Sequence, residues 1–360
     1  LRSSSIKEVV IDIALGLDVV AADAAAASQP ASVLVSAADS PAAPATPNAV
    51  KVSLDEEHQQ AAKVIQSSRK VMASIFRDLR LGKAIDPEAV MPLVEEISAS
   101  VSRNTHALIS LVRLKTVDDY TYMHSVAVCA LMTALAREMR LSETEVRQAG
   151  LAGLMHDMGK AKIPADIINK PGALSDNEFD LIRKHPQLGH DLLLQANVQE
   201  HATLDVCLHH HEKVNGSGYP HGLKGEEISL FARMGAVCDV YDAVTSTRSY
   251  KPAWEPGMAL RRMASWEGHF DPAVFKAFVK SLGIYPIGTV VILKSGRLAV
   301  VVEQNENLLK PVVKTFFSTK SKMHLPVEKL DLSLGMDDIV GFESAASWGI
   351  QNIEHLWATH

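Results

Sequence analysis

The residues most able to do chemistry in this chain are histidines and aspartates set into apolar stretches. His156 and Asp157 end the aliphatic run from Ala149 to Met155 and are followed at once by Gly159 and Lys160. That run is too apolar for a surface and too short to span a membrane, so it reads as core. A histidine and an aspartate carried into a core are costly unless they are paired or ligated. Alone they suggest a hydrogen-bonded core pair, because such dipeptides are weak motifs. Four more sites change the weighing: His124 in a helical stretch, His185 before Pro186, the run His209-His210-His211-Glu212, and Asp239 at the head of another helical stretch. Any one of these histidines is by itself an ordinary core residue. Together, five imidazoles and two carboxylates on apolar helices form a ligand set suited to two first-row metals.

The elements that must position these groups are mostly helical. Capping boxes stand at Ser53/Glu56, Ser142/Glu145 and Ser175/Glu178. The first opens a helix that Gly82 ends. A second helix is expected from Asp86-Pro87 through Val90, Leu93, Val94, Ile97 and Val101 towards Leu111, giving an N-terminal helical hairpin over residues 51–115. Residues 116–285 read as an all-α domain of seven or so helices, with another helix start at Asp271-Pro272. Beyond Tyr285-Pro286 the pattern turns to β. Thr289 to Leu293 and Arg297 to Val302 form a hairpin through Lys294-Ser295-Gly296, and Pro311 to Phe317 adds a strand. Residues 286–360 are thus a small β-rich C-terminal region and tail.

Residues 1–20 resemble the remnant of a small domain. Residues 21–50, rich in Ala, Pro and Ser, cannot bury a core and are expected to be a disordered linker. Of the 360 residues 47% are apolar and 22% charged, with a net charge of −6, which argues against a general nucleic-acid binder. Three dispersed cysteines support neither a disulfide framework nor a zinc ribbon. No membrane span or signal-peptide pattern is present, and the expected location is cytoplasmic.

The motifs HDMGK (156–160), HHEKVNGSGYP (210–220) and DVYDAVTSTRSYK (239–251), in this order and spacing, resemble those of the HD-GYP phosphodiesterases, a branch of the HD superfamily that hydrolyses cyclic di-GMP. The likeness covers roughly residues 117–285. It implies an HD-type helical bundle and makes His124, His156, Asp157, His185, His210, His211 and Asp239 the metal ligands, with Asp157 bridging two ions. It implies that Lys160 faces the scissile phosphate or pairs with Asp242. Arg248 and Lys251 match positions near the substrate phosphates, Tyr219 lies in the loop beside the site, and Asp242 and Tyr120 adjoin the ligands. Residues 6–20 also resemble the end of a domain of unknown function that precedes some HD-GYP domains.

The chain departs from the family pattern at three positions. Tyr120 stands where three-metal members carry a glutamate, so two metals are expected, iron or manganese in preference to zinc. Asn215 replaces a common Asp, and Ser249 a common Pro. His209 is expected to lie outside the ligand set. The implied reaction is attack on a cyclic di-GMP phosphorus by hydroxide between two metals. The product is pGpG, with GMP from a second cut. The alternative is a cyclic di-GMP sensor or protein-interaction module with little turnover. Signalling proteins and a homodimer through residues 54–112 are the other expected partners.

Overall fold

The computed structural model describes residues 51–84, 86, 89–115, 120–170, 172–247 and 253–358. The 1–20 and 21–50 segments read from the sequence lie outside them. The chain begins with α1 (Leu54–Arg80), whose N-cap Ser53 and Glu56 form the expected reciprocal box. Next come α2 (Met91–Arg103) and α3 (Thr105–Val112). The helix expected from Asp86 starts later: Asp86 accepts from Ala89 N–H in a turn, and Val90 is the N-cap of α2. Nor does that helix continue to Leu111. Asn104 is extended (φ −153°, ψ 109°) and its side chain caps α3 through His106 N–H, because a short polar side chain offers the backbone an alternative to continued helix.

The central element is α4 (Tyr120–Glu138), buried without interruption from Met123 to Ala136. A helix that is apolar all round must be enclosed. α1, α2, α3, α5 (Glu143–Met155), α10 (Leu230–Thr245) and α12 (Pro272–Leu282) all pack on it. Its core joins Met72 and Phe76 of α1, Ile97 of α2, Leu108 of α3, Leu154 of α5 and Phe278 of α12. Between α5 and α10 run a 3-10 turn (Met158–Lys162), α6 (Ala165–Ile168), α7 (Asp176–Ile182), α8 (His185–Gln195) and α9 (His201–His209). α11 (Pro256–Ala264) precedes α12. No helix among the described residues is long and apolar enough to cross a membrane.

The C-terminal region is a five-stranded antiparallel sheet in the order β4-β3-β2-β1-β5, made of β1 (Val290–Leu293), β2 (Arg297–Glu303), β3 (Val312–Ser318), β4 (Met323–Asp331) and β5 (Ile339–Phe342). β1 and β2 are the expected hairpin, and alternate residues of β2 enter two different clusters, Val300 with Trp357 and Val301 with Leu332. The two strands at the sheet's edges were not foreseen. Arg113, just past α3, donates to Ile287 O at 3.1 Å and stacks over Trp357, tying the sheet to the helices.

Candidate metal centre

Helix ends bring most of the histidines together. His156 is the C-cap of α5, His210 is the C-cap of α9, and His185 follows closely on the end of α7. The last carbonyls of a helix lack intrahelical partners. These histidines use them: His156 Nδ1 meets Gly153 O at 2.7 Å, His185 Nδ1 meets Ile182 O at 2.7 Å, and His210 Nδ1 meets Cys207 O at 3.1 Å, beside Val206 O at 2.9 Å, which the His210 backbone N–H also reaches. A ring that donates its Nδ1–H to a carbonyl keeps a lone pair on Nε2, the arrangement a metal ligand needs.

The Nε2 atoms converge on Asp157. Its Oδ2 lies 3.4 Å from His124 Nε2 and 3.3 Å from His156 Nε2, while its Oδ1 lies 3.2 Å from His185 Nε2 and 3.8 Å from His210 Nε2. Donor atoms fall into two compact groups, His124/His156/Asp157 and His185/His210/His211. Asp239 adds a carboxylate 2.9 Å from His124 Nε2 and 3.7 Å from His211 Nδ1. All seven residues are buried.

The electrostatics ask for positive charge. Burial opposes ionisation of Asp157, yet Lys160 and then His156 hold its carboxyl well below the usual range. Asp239 is likewise held low, against its burial, by the His124 hydrogen bond and the nearby imidazoles. Burial, with the neighbouring His156 and His185, pushes His210 down to about 3. Burial and His210 put His211 well below its ordinary value, and burial lowers His185. His156 moves up: burial works against it, but the adjacent Asp157 prevails. The lowered imidazoles of His185, His210 and His211 beside ionised carboxylates match first-row divalent ions. Among the described residues, the buried Nε2 atoms of His156 and His211 find no partner in hydrogen-bonding geometry. The residues therefore fit divalent metals.

The surrounding side chains hold this arrangement. Asp242 accepts from His124 Nδ1 at 2.7 Å, and Tyr120 stacks on the His124 ring at 5.6 Å with 9° between planes. Lys160 pairs with Asp157 Oδ2 at 2.6 Å; the expected alternative, a pair with Asp242, is not formed, because Lys115 takes both Asp242 oxygens at 2.6 Å. Tyr219 stacks on His211 at 4.7 Å, and the exposed Arg183 lies 4.8 Å over the Tyr219 ring. His209 points elsewhere, to Asp205 at 2.7 Å and His221 at 3.0 Å. Asn215 folds onto its own loop, accepting from Ser217 N–H at 2.9 Å. Arg248 and Lys251 lie outside the described residues.

Two glycines are required by close approach. A Cβ on Gly159 would stand 1.9 Å from His185 O, so the 3-10 turn can touch α8 only without a side chain. A Cβ on Gly218 would stand 2.4 Å from Lys213 N, where the loop doubles back and places Tyr219. Sequence reasoning missed three contributors: Lys115, Arg183 and the buried Glu212, whose carboxylate accepts from His221, Gly222 and Leu223 N–H at 2.7–3.1 Å. Glu212 adjoins the histidine pair, and that proximity was the available signal. Lys115 gave none, since its partner is 127 residues away.

A match to the HD domain family covers residues 93–274, and a match to a domain of unknown function (DUF3391) covers residues 1–90. The chain is 53% identical over 362 residues to the cyclic di-GMP phosphodiesterase PA4108 of Pseudomonas aeruginosa, an alignment covering 99% of this chain and 85% of that protein. It is 42% identical over 150 residues to the cyclic di-GMP phosphodiesterase response regulator RpfG of Xanthomonas campestris, covering 41% of this chain and 39% of that one. Among solved structures it resembles Bd1817, an HDG"Y"P protein from Bdellovibrio bacteriovorus. That match has a TM-score of 0.52 at 19% identity and covers 62% of this chain and 72% of the other, a likeness of fold alone.

Proposed function

The chain belongs to the HD domain family, and from that premise we propose that it is a metal-dependent phosphodiesterase hydrolysing cyclic di-GMP to pGpG, with GMP as the product of a second cut. The observation that carries this reading is the placement of Asp157, one oxygen facing His124 and His156 and the other facing His185 and His210. That is the posture of a carboxylate shared by two ions. When bound, two divalent metals, iron or manganese, would supply an activated water and neutralise charge on the phosphate.

The protein's own part is positioning. His124, His156, His185, His210, His211, Asp157 and Asp239 would hold the ions at fixed spacing. Carbonyls at three helix ends fix the tautomers of His156, His185 and His210, so no ring must reorient during turnover. Lys160, paired with Asp157 and partly exposed, is the ammonium placed to meet the phosphate. Tyr219, buried between the His211 ring and Arg183, has no open face for a base and braces His211, while the exposed Arg183 offers the substrate a cation. Arg248 and Lys251 are further candidate phosphate contacts. Residues 54–112 remain the proposed homodimer surface; a monomer at every concentration in light scattering would exclude it.

The test is anaerobic protein loaded with Mn(II) or Fe(II), given cyclic di-GMP, with products resolved by chromatography beside Asp157→Asn. Turnover by the wild type and its loss in the variant are expected. Equal consumption by both would refute the shared-carboxylate reading. Tight binding without turnover by the wild type would favour the sensor alternative.

A further inference from the structure

His124 is held differently from its neighbours. His156, His185 and His210 sit at helix ends, where the spare carbonyls of Gly153, Ile182 and Cys207 accept from Nδ1. His124 lies within the continuous helix α4, whose carbonyls are committed to the helix's own hydrogen bonds. Its Nδ1 must find a side chain, and finds Asp242 Oδ2 at 2.7 Å. A carboxylate can swing about its χ2 axis, which a helix carbonyl cannot. Something has to fix Asp242.

Lys115 does so. Its ammonium lies 2.6 Å from each Asp242 oxygen, and the side chains of Lys115, Asp242 and His124 are only 1%, 4% and 1% exposed. Ser246 Oγ touches Asp242 Oδ1 at 3.2 Å, a lesser restraint. Burying an ammonium and a carboxylate gains little stability over an apolar pair of the same size, so their presence calls for another use.

We propose that Lys115 is a positioning residue of the metal centre, clamping both oxygens of Asp242 so that the His124 ring is locked with Nε2 towards Asp157 and Asp239. The inference rests on the reading of His124 as a metal ligand. It places control of one half of the centre on the short segment that leaves α3. Two residues earlier, Arg113 grips Ile287 O and Trp357, so this segment joins the C-terminal sheet to the first histidine.

The test is a double-mutant cycle on the full chain, stripped of metal and titrated anaerobically with Mn(II), free Mn(II) being read by its paramagnetic resonance. The proteins are wild type, Lys115→Met, Asp242→Asn, the double variant and His124→Ala. Wild type should bind two Mn(II). Lys115→Met should weaken one of them about 10- to 100-fold, the usual effect of losing a group that orients a ligand, and leave the other unchanged. Because Lys115 acts through Asp242, the double variant should lose no more than the worse single variant. If Lys115→Met does not fold, with the Asp242 charge left unpaired, the double variant removes that charge and carries the test: two Mn(II) sites of wild-type affinity there overturn the inference. Wild-type affinities in a folded Lys115→Met, or losses that multiply across the cycle, overturn it as well. A wild type that binds Mn(II) no better than His124→Ala refutes the ligand reading itself, and the inference with it.

Discussion

Gly159→Ala tests the packing of the centre without touching a ligand. The added Cβ would lie 1.9 Å from His185 O, 2.5 Å from Gly189 N and 2.8 Å from His185 C, all backbone atoms that no rotamer change can move aside. Restoring the His185 O contact to the 3.4 Å where ordinary van der Waals distances begin requires α8 and the 3-10 turn to separate by about 1.5 Å. His185 travels with α8, and its Nε2 now stands 3.2 Å from both Asp157 Oδ1 and His210 Nε2. A shift of that size opens the second group of donors while leaving His124 and His156 in place. Overpacking of this kind costs about 1–3 kcal/mol of stability. A misplacement of ~1 Å in a catalytic constellation costs on the order of 100-fold in rate. The variant should therefore fold, with a lower urea midpoint. It should bind one Mn(II) at near-normal affinity and the second weakly, and turn over cyclic di-GMP at least about 100-fold more slowly. Two tight Mn(II) sites with wild-type turnover would show that the turn and α8 accommodate a methyl group, and the argument from close approach would be wrong.

Two other outcomes are expected. Stripping the protein with a chelator should lower its urea midpoint, since an ion at ~1,000 times its Kd contributes about 4 kcal/mol to the folded state; unchanged midpoints would exclude a centre coupled to folding. Glu255 is pushed up to about 7 by burial, reinforced by Glu354 and opposed by Arg113. Its proton is held more tightly in the folded chain, so its contribution is whole below about pH 4.5 and lost as pH rises through about 7. Glu255→Gln should match the wild type in urea stability near pH 4 and exceed it by at most about 3 kcal/mol at pH 8. A difference independent of pH would sink the assignment.

The sequence made the helical character, the three capping boxes and the ligand types legible, because these depend on local spacing and on the cost of burying polar groups. His156 and Asp157 announce themselves by interrupting an aliphatic run. What depends on distant partners was less visible. β4 contains Pro326, and its side chains from Met323 to Lys329 are largely exposed, so it lacks the inward-facing alternation that marks a half-buried strand. β5 is only four residues long and pairs with β1, nearly fifty residues earlier. The break at Asn104 looked like helix because the apolar period continues across it. That Asp242 pairs with Lys115 was not legible, since nothing in the sequence sets Lys115 above the other lysines.

The convergence of helix ends has one more consequence. α5, α7 and α9 direct their carbonyl termini at the centre, each equivalent to roughly half a negative charge, and Asp157 and Asp239 add two full ones, offset only in part by Lys160 and the N-terminus of α8 at His185. Such a field attracts cations and repels phosphate. The dinucleotide, itself an anion, would meet a more favourable potential with divalent ions held by these residues. Bound metal would thus aid the approach of the anionic substrate as well as its hydrolysis, a second use for the direction in which these helices point.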